Sequence, residues 1–362
     1  MSAAHDAQSA SLDPASGGAL CYTAESDPLS DVLRTVRLRG ALFFLVDATT
    51  PWCVDVPAAR HFADIILPSA RHVVSYHVAV EGTGLAGVPG MAETQFGAGD
   101  IIVFPHGDPY VMASDRGVVP ELDRAATIQF FRDLAAGRLP FVIPEGGGGA
   151  PRAKFICGFL GCDFTPYNPV LAALPRCLRV GRQDRTGRDL LDQLVELTMN
   201  EAQIHRPGVQ SIRLGLSELM FIEVIRRHME TLSTDRPSWL TGLRDPIVGC
   251  ALRKLHADPA RDWTLEHLAT ETGTSRSVLA ERFSTTVGEP PMRYLTLWRM
   301  QLAARLLADG NDKVSAISEQ VGFGSEAAFS RAFKAAMGCP PGRWRSTSRR
   351  CAGTAFEAAT PI

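Results

Sequence analysis

The sequence predicts a multidomain protein with α and β parts. Its N-terminal part reads as a small β-barrel or sandwich followed by a helical hairpin. Its C-terminal third reads as an all-α domain of two helix-turn-helix motifs joined by a long helix. Three observations predict this. Short runs rich in Val, Ile and Phe, punctuated by Gly, Pro and Asp, dominate the chain up to about Ile156. After Pro175 the apolar residues recur at helical spacing instead. In the last third, two segments repeat one pattern of small residue, Gly and Ser. A length of 362 residues suits two domains, at roughly 100–200 residues each.

The elements follow in order. Met1 to Leu20 is small and polar, with neither the basic start nor the apolar stretch of a secretion signal. It reads as a disordered leader on a cytoplasmic protein. Asp27 to Leu38 reads as a short amphipathic helix. Asp27 can cap it, Pro28 suits its first turn, and Leu29, Val32, Leu33 and Val36 share a face. Ala41–Val46, Val73–Val80, Ile101–Phe104 and Ala126–Phe131 follow as strands. Lys154–Phe159 resumes the sheet after a flexible loop, Gly146–Gly149.

Asp189–Ala202 and Val209–Met229 carry helical apolar faces, and Pro207–Gly208 breaks them into an αα-hairpin. The second helix is apolar around much of its circumference, which suits either a subunit interface or packing on its own barrel. Ser233 to Arg244, polar with Pro237 and Gly242, reads as a linker. Six helices follow: Pro246–His256, Leu265–Thr272, Ser275–Val287, Pro291–Asp309, Val314–Val321 and Ser325–Met337, with Pro341–Arg345 starting a seventh. The domain plan is a leader at 1–26, a barrel-and-hairpin domain at 27–232, a linker at 233–245, a helical domain at 246–346 and a disordered tail at 347–362.

Composition narrows the function. Charged residues at 21% and hydrophobic residues at 45% exclude global disorder. No apolar run approaches the ~18 residues of a membrane helix, so no membrane partner is expected. The chain's net charge of −2 hides an asymmetry. Residues 244–350 hold 16 Lys/Arg against 11 Asp/Glu, a net of +5, and the remainder carries −7. A basic third on an acidic remainder points to a polyanion-binding module joined to something else. The eight cysteines are scattered, which suits reduced thiols, and only Cys157 and Cys162 lie close together.

The repeated pattern decides the function. LEHLATETGTSRSVLAERF (265–283) and VSAISEQVGFGSEAAFSRAFK (314–334) each open with a short helix bearing a small residue, Ala269 or Ser318. A Gly follows four positions on, Gly273 or Gly322, and then a Ser that opens a second helix, Ser275 or Ser325. Leu279 and Phe283, or Phe329 and Phe333, supply its core. The small residue lets two helices cross closely, the Gly permits the turn, and the Ser caps a helix whose first half enters a major groove. Two such units lie 49 residues apart, Gly273 to Gly322, with one helix between them.

The stretch VGFGSEAAFSRAFKAAMGCPPGRWR (321–345) resembles the signature of the AraC/XylS family of bacterial transcriptional regulators. It carries the core GF-x-S-x-x-x-F-x-R-x-F-K and the ending G-x-P-P-x-x-(W/Y)-R, and the resemblance covers Pro246–Arg345. It implies two units reading successive major grooves across a long helix. On that reading the outer face of the first recognition helix presents Ser275, Arg276, Ser277, Ala280 and Glu281, with Arg282 nearby. The second presents Ser325, Glu326, Ala327, Ser330 and Arg331. Arg331 is the candidate for a bidentate guanine contact. Lys334, Arg343 and Arg345 are candidates for phosphate contacts. Glu281 departs from the family, which usually has a basic residue there.

The region Asp27–Leu178 resembles the cupin-type sensor domain of one branch of these regulators. The resemblance rests on DPLSDVLRTVRLRG, SYHVAVEGTG, FGAGDIIVFPHGDPY and CGFLGCDFTPYNPVLAALP. It implies that His77, Glu81, His106 and Tyr110 face an effector at the barrel mouth. An enzymatic cupin supplies two His and a Glu from its first motif and a His from its second. Here Ser75 and Tyr110 replace two of those His, so no catalysis, metal or cofactor is expected. His72, His77, His106, Cys157 and Cys162 remain open as a different metal site, or as ordinary core residues.

The resemblance implies a sequence-specific transcriptional regulator whose partners are double-stranded DNA and a small-molecule effector. It adds RNA polymerase if the protein is an activator, and a homodimer. Two alternatives stand beside it. One is a metal-dependent cupin enzyme, a dioxygenase or isomerase, fused to a DNA-binding domain. The other is a constitutive DNA-binding protein whose barrel serves only to dimerise.

Overall fold

Alternation along four strands builds the N-terminal domain. The structure, a computed structural model, describes residues 27–35, 38–68, 70, 72–162, 168–181, 189–202, 207–233 and 236–348. The expected leader, most of the expected tail, Cys21, Val36 and Cys351 lie outside the described residues. Helix α1 (Pro28–Thr35) is capped by Asp27, whose carboxylate accepts from the Leu29 amide at 3.0 Å. Then come β1 (Leu38–Thr50), β2 (Cys53–Val56), a short α2 (Ala63–Ile66), β3 (His72–Glu81), β4 (Thr83–Gly87), β5 (Thr94–Gly97), β6 (Ile101–Phe104) and β7 (Tyr110–Ala113). Helix α3 (Arg124–Ala135), β8 (Val142–Gly146), β9 (Gly149–Cys162), α4 (Pro169–Ala173) and β10 (Leu178–Val180) complete the barrel.

The strands form a six-stranded sheet in the order β10-β6-β3-β9-β1-β8 and a four-stranded sheet in the order β2-β7-β4-β5. Phe44, Val46, His77, Ile102, Phe104, Phe155, Cys157 and Phe159 face the space between the sheets. Their neighbours Phe43, Leu45, Val74, Tyr76, Val78, Ile101, Val103, Ile156 and Leu160 belong to a second core on the outer face. Both faces of this sheet are buried, which is why its strands read as near-continuous apolar runs.

The αα-hairpin, α5 (Leu190–Ala202) and α6 (Val209–Thr231), covers that outer face. Helix α6 buries Leu216, Met220, Phe221, Val224 and Ile225. Tyr76 fixes its position. The ring lies across Gly158, where an added Cβ would fall 2.0 Å from the ring's Cζ, and its hydroxyl meets the Ser217 hydroxyl at 3.0 Å. Leu190, Leu197, Ile212 and Leu219 remain exposed on the hairpin, so packing on the barrel uses one face and leaves apolar side chains in solvent.

Two expectations need correction. Ala126–Phe131 is not a strand but the middle of α3. Asp123 caps the helix by accepting from the Ala126 amide at 2.8 Å, and Thr127 and Phe131 bury one turn apart. A short apolar run does not distinguish strand from helix, and the cap settles it here. The second correction concerns 233–245, which is not simply a linker. It contains α7 (Trp239–Arg244), whose Ser238 and Thr241 form a capping box and whose Trp239 and Leu240 are buried.

The remaining helices are α8 (Pro246–Ala257), α9 (Leu265–Glu271), α10 (Arg276–Val287), α11 (Pro291–Asp309), α12 (Val314–Gln320) and α13 (Glu326–Met337), followed by a helical segment at 341–348. Among the described residues no helix is long and apolar enough to cross a membrane.

Candidate functional site

The two helix-turn-helix units are built by the same local devices. Gly273 and Gly322 sit at φ +66° and +81°, the left-handed region that glycine enters without strain. The amides after them reach back across the turn: Thr274 donates to the Ala269 carbonyl and Phe323 to the Ser318 carbonyl. Ser275 and Ser325 cap the second helices by accepting from the Val278 and Ala328 amides at 3.3 and 3.2 Å. Leu279, Phe283, Phe329 and Phe333 are fully buried beneath them. The repeat also extends further than the sequence reading took it. Gly288-Glu289-Pro290-Pro291 matches Gly338-Cys339-Pro340-Pro341, and both glycines are left-handed. Tyr294 and Trp344 then occupy equivalent buried positions.

The outer faces of α10 and α13 carry the expected contact residues. Ser275, Arg276, Ser277, Glu281 and Arg282 are exposed on the first unit, with Ala280 half-buried. Ser325, Glu326, Ala327, Arg331 and Lys334 are exposed on the second, with Ser330 half-buried, and Arg343 is exposed on the last helical segment. The arginines differ in what holds them. Arg276 pairs with Glu266 at 2.6 Å, and Arg282 turns back to Asp245, the cap of α8, at 2.8 Å. Half-buried Arg345 donates to the Asp312 carbonyl at 2.5 Å. Arg331 has no ion pair or hydrogen bond among the described residues.

Helix α11 joins the units. Its 19 residues span roughly 28 Å at ~1.5 Å per residue, close to one ~34 Å turn of duplex DNA. Its first half packs in the core of unit one and its second half in that of unit two. Tyr294 locks the first half, accepting from Trp239 Nε1 at 2.9 Å while its hydroxyl meets His256 Nε2 at 2.7 Å.

The barrel encloses the second candidate site, a cavity of about 60 Å³ with an open mouth. At its floor His77 bridges Tyr110 and Cys157: Nε2 lies 2.8 Å from the Tyr110 hydroxyl and Nδ1 3.1 Å from the Cys157 sulfur. Burial lowers the imidazole to about 3, so His77 is neutral, with one N–H and one lone pair for its two partners. Burial likewise pushes the Cys157 thiol and the Tyr110 hydroxyl up. All three groups are uncharged near neutral pH.

The four residues expected at the barrel mouth separate. Only His77 and Tyr110 line the cavity. Glu81 does not. A register shift between Ala79 and Glu81 breaks the alternation that would carry it inward, and it pairs with Lys154 at 3.1 Å on the surface. His106 does not either. It lies past the end of β6, where its Nε2–H donates to the Leu174 carbonyl at 2.9 Å. The open metal set separates too. Cys157 faces the barrel interior and Cys162, five residues on, belongs to the core on the sheet's outer face. Among the described residues no three His, Cys, Asp or Glu side chains form a group that could hold a metal ion.

Sequence reasoning missed Asp55, Phe130 and Glu145, which line the cavity. Phe130 was assigned to a strand. Asp55 and Glu145 stand in no local pattern, because the cavity is assembled from β2, α3, β8 and the sheet, which are far apart in the chain.

Comparisons with known proteins agree with this architecture. The family described as Cupin matches residues 27–230, and one described as Helix-turn-helix domain matches residues 268–347. An AraC-like transcription regulator of Streptomyces lividans is 33% identical over 323 residues, covering 88% of this chain and 98% of its own length. A second, from Streptomyces antibioticus, is 34% identical with 88% and 98% coverage. The HTH-type transcriptional regulator AlkR of Acinetobacter baylyi is 29% identical, with 89% and 100% coverage. With a cupin-type barrel joined to two helix-turn-helix units along its whole matched length, the chain belongs to the AraC-like family of transcription regulators.

Proposed function

We propose that α10 and α13 enter successive major grooves of an operator and that a small molecule in the barrel cavity controls their engagement. The matching exposed faces of the two recognition helices, capped alike and joined by a helix roughly 28 Å long at ~1.5 Å per residue, support this most directly. Arg331 then reads a guanine, while Lys334 and Arg343 hold phosphates. Arg276 and Arg282 can contribute only by exchanging Glu266 and Asp245 for DNA, so the first unit reads with Ser275, Ser277, Ala280 and Glu281 as well. Arg345 braces the last helical segment more than it reaches outward. Glu326 and Ala327, with Ser325 and Ser330, line the groove around Arg331.

In this reading the protein works in the cytoplasm, is not an enzyme, and dimerises through the exposed apolar side chains of α5 and α6. If it activates, it contacts RNA polymerase. Against the enzyme alternative stands His77, whose two ring nitrogens are taken by Tyr110 and Cys157 instead of being open to a metal. The control is linkage: an effector shifts DNA engagement only as far as its affinities for two states of the protein differ.

Selection of binding sites from random duplex DNA by the full chain tests the reading. It should return two short half-sites about 10–10.5 base pairs apart. Affinity for the selected site should fall steeply with salt, as phosphate neutralisation releases counterions. Enrichment of no sequence would overturn specific recognition.

A further inference from the structure

We propose that the barrel cavity selects a hydrophobic cation, an apolar body carrying an amine or quaternary nitrogen whose positive centre sits at the mouth beside Glu145. This rests on the reading of the cavity as the effector site and adds the chemistry of its occupant.

The wall is aromatic. Phe44, Phe130, Phe131 and Phe159 line it, and aromatic rings suit an apolar body and can also attract a cation. The floor adds no charge, because His77 is neutral and both its nitrogens are engaged. The charged groups lining the cavity are Asp55 from β2 and Glu145 from β8; no Lys or Arg lines it. Burial, and then the charges of these two carboxylates, push the Cys53 thiol up. Glu121, between the lining residues Pro120 and Leu122, adds a third negative charge that acts on Glu145.

None of these three carboxylates has an ion-pair partner among the described residues. Other carboxylates of the same domain do have one. Asp47, Glu81, Asp100 and Asp108 pair with Arg152, Lys154, Arg179 and Arg176. Among the described residues no such cation reaches the carboxylates at the mouth. Partial burial of Glu145 beside like charge makes its ionised form costly, and burial with Glu121's repulsion pushes it up to about 7. An anionic effector would add repulsion to that cost, a neutral one would leave it in place, and a cation relieves it.

Calorimetric titration of the full chain with three probes of like shape tests the proposal: benzyltrimethylammonium, its uncharged carbon isostere neopentylbenzene, and the anion benzylsulfonate. The cation should bind at least tenfold more tightly than either other probe. Glu145→Gln and Asp55→Asn should each reduce that preference, with neopentylbenzene affinity unchanged as the check that the cavity is intact. Equal affinity for cation and isostere, preference for the anion, or full preference retained in both variants would overturn the charge selectivity and leave the effector reading standing. Binding of none of the three would overturn both.

Discussion

Arg331 and Arg282 show at single residues what a sequence can and cannot say. Both stand on the second helix of a helix-turn-helix unit, but Asp245 holds one guanidinium and the other is unengaged among the described residues. Arg331→Ala should cost about 1–3 kcal/mol for the selected operator and relax preference at one base pair. Equal losses on operator and random DNA, measured side by side, would place Arg331 on phosphate. Arg282→Ala should instead weaken the α8 cap, visible as a lower melting temperature. Glu145 makes a prediction in pH. Its carboxyl titrates near 4.5 when unfolded and about 7 when folded, so between those values the folded chain holds a proton that the unfolded chain has released. Raising the pH through that window lowers stability. Glu145→Gln should therefore raise the melting temperature more at pH 8 than at pH 5, by about 1 kcal/mol equivalent once solvent screening at the open mouth is allowed for. An equal gain at both pH values would show that the carboxyl is not strained by its surroundings. No local spacing marks Glu145, which is why it was illegible beforehand. His77 and Tyr110 were legible because each keeps a motif position, and Glu81 misled because a register shift is invisible in a two-residue period.

The elements that could be read were those whose signals are local. Ser275 and Ser325, Gly273 and Gly322, and Pro291 at the first turn of α11 fix helix ends by their own chemistry, so α10, α11 and α13 match the sequence reading to within a residue. Helix α3 was misread because its apolar run spans fewer than two turns, and α7 because Trp239 and Leu240 are buried only by tertiary partners. The two turn glycines allow a matched test. At Gly273 nothing lies within 4 Å of an added Cβ, so Gly273→Ala pays only for the left-handed backbone, about 1–2 kcal/mol. At Gly322 the same Cβ would fall 2.5 Å from the Ala260 carbonyl oxygen, backbone that cannot step aside. Gly322→Ala should therefore destabilise more than Gly273→Ala in chemical denaturation. Equal losses would mean that the approach of α12's turn to Ala260 is not maintained in solution.

At the scale of the whole molecule, the barrel domain and the first helix-turn-helix unit share one core. It runs from the outer face of the six-stranded sheet through α5 and α6 to Val32, Val170 and Leu171, and on to Trp239, Leu240, Val248 and Trp298. The second unit has its own core, around Phe329, Phe333 and Trp344, joined to the first along α11. Helix α1 is a seam in this arrangement. It packs on α4 from the barrel side and on α8 and α11 from the other, and Asp31 lies 3.4 Å from His256 Nδ1. A change in the barrel therefore has a packed route to the first unit, which the domain plan read from sequence, with a polar linker between two independent parts, did not contain. The seam is testable. In the wild-type chain, barrel and first unit should unfold in one calorimetric transition, because neither can lose Val32's neighbours alone. Val32→Asp places a charge in a site that is 1% exposed, and a buried unpaired charge costs several kcal/mol unless the contact opens. Opening the contact is the cheaper response, so the single transition should split in two. The part belonging to the C-terminal helices should then melt where the separate fragment 236–348 melts. One transition persisting at a lower temperature would show that the domains are joined elsewhere and that α1 is not the seam.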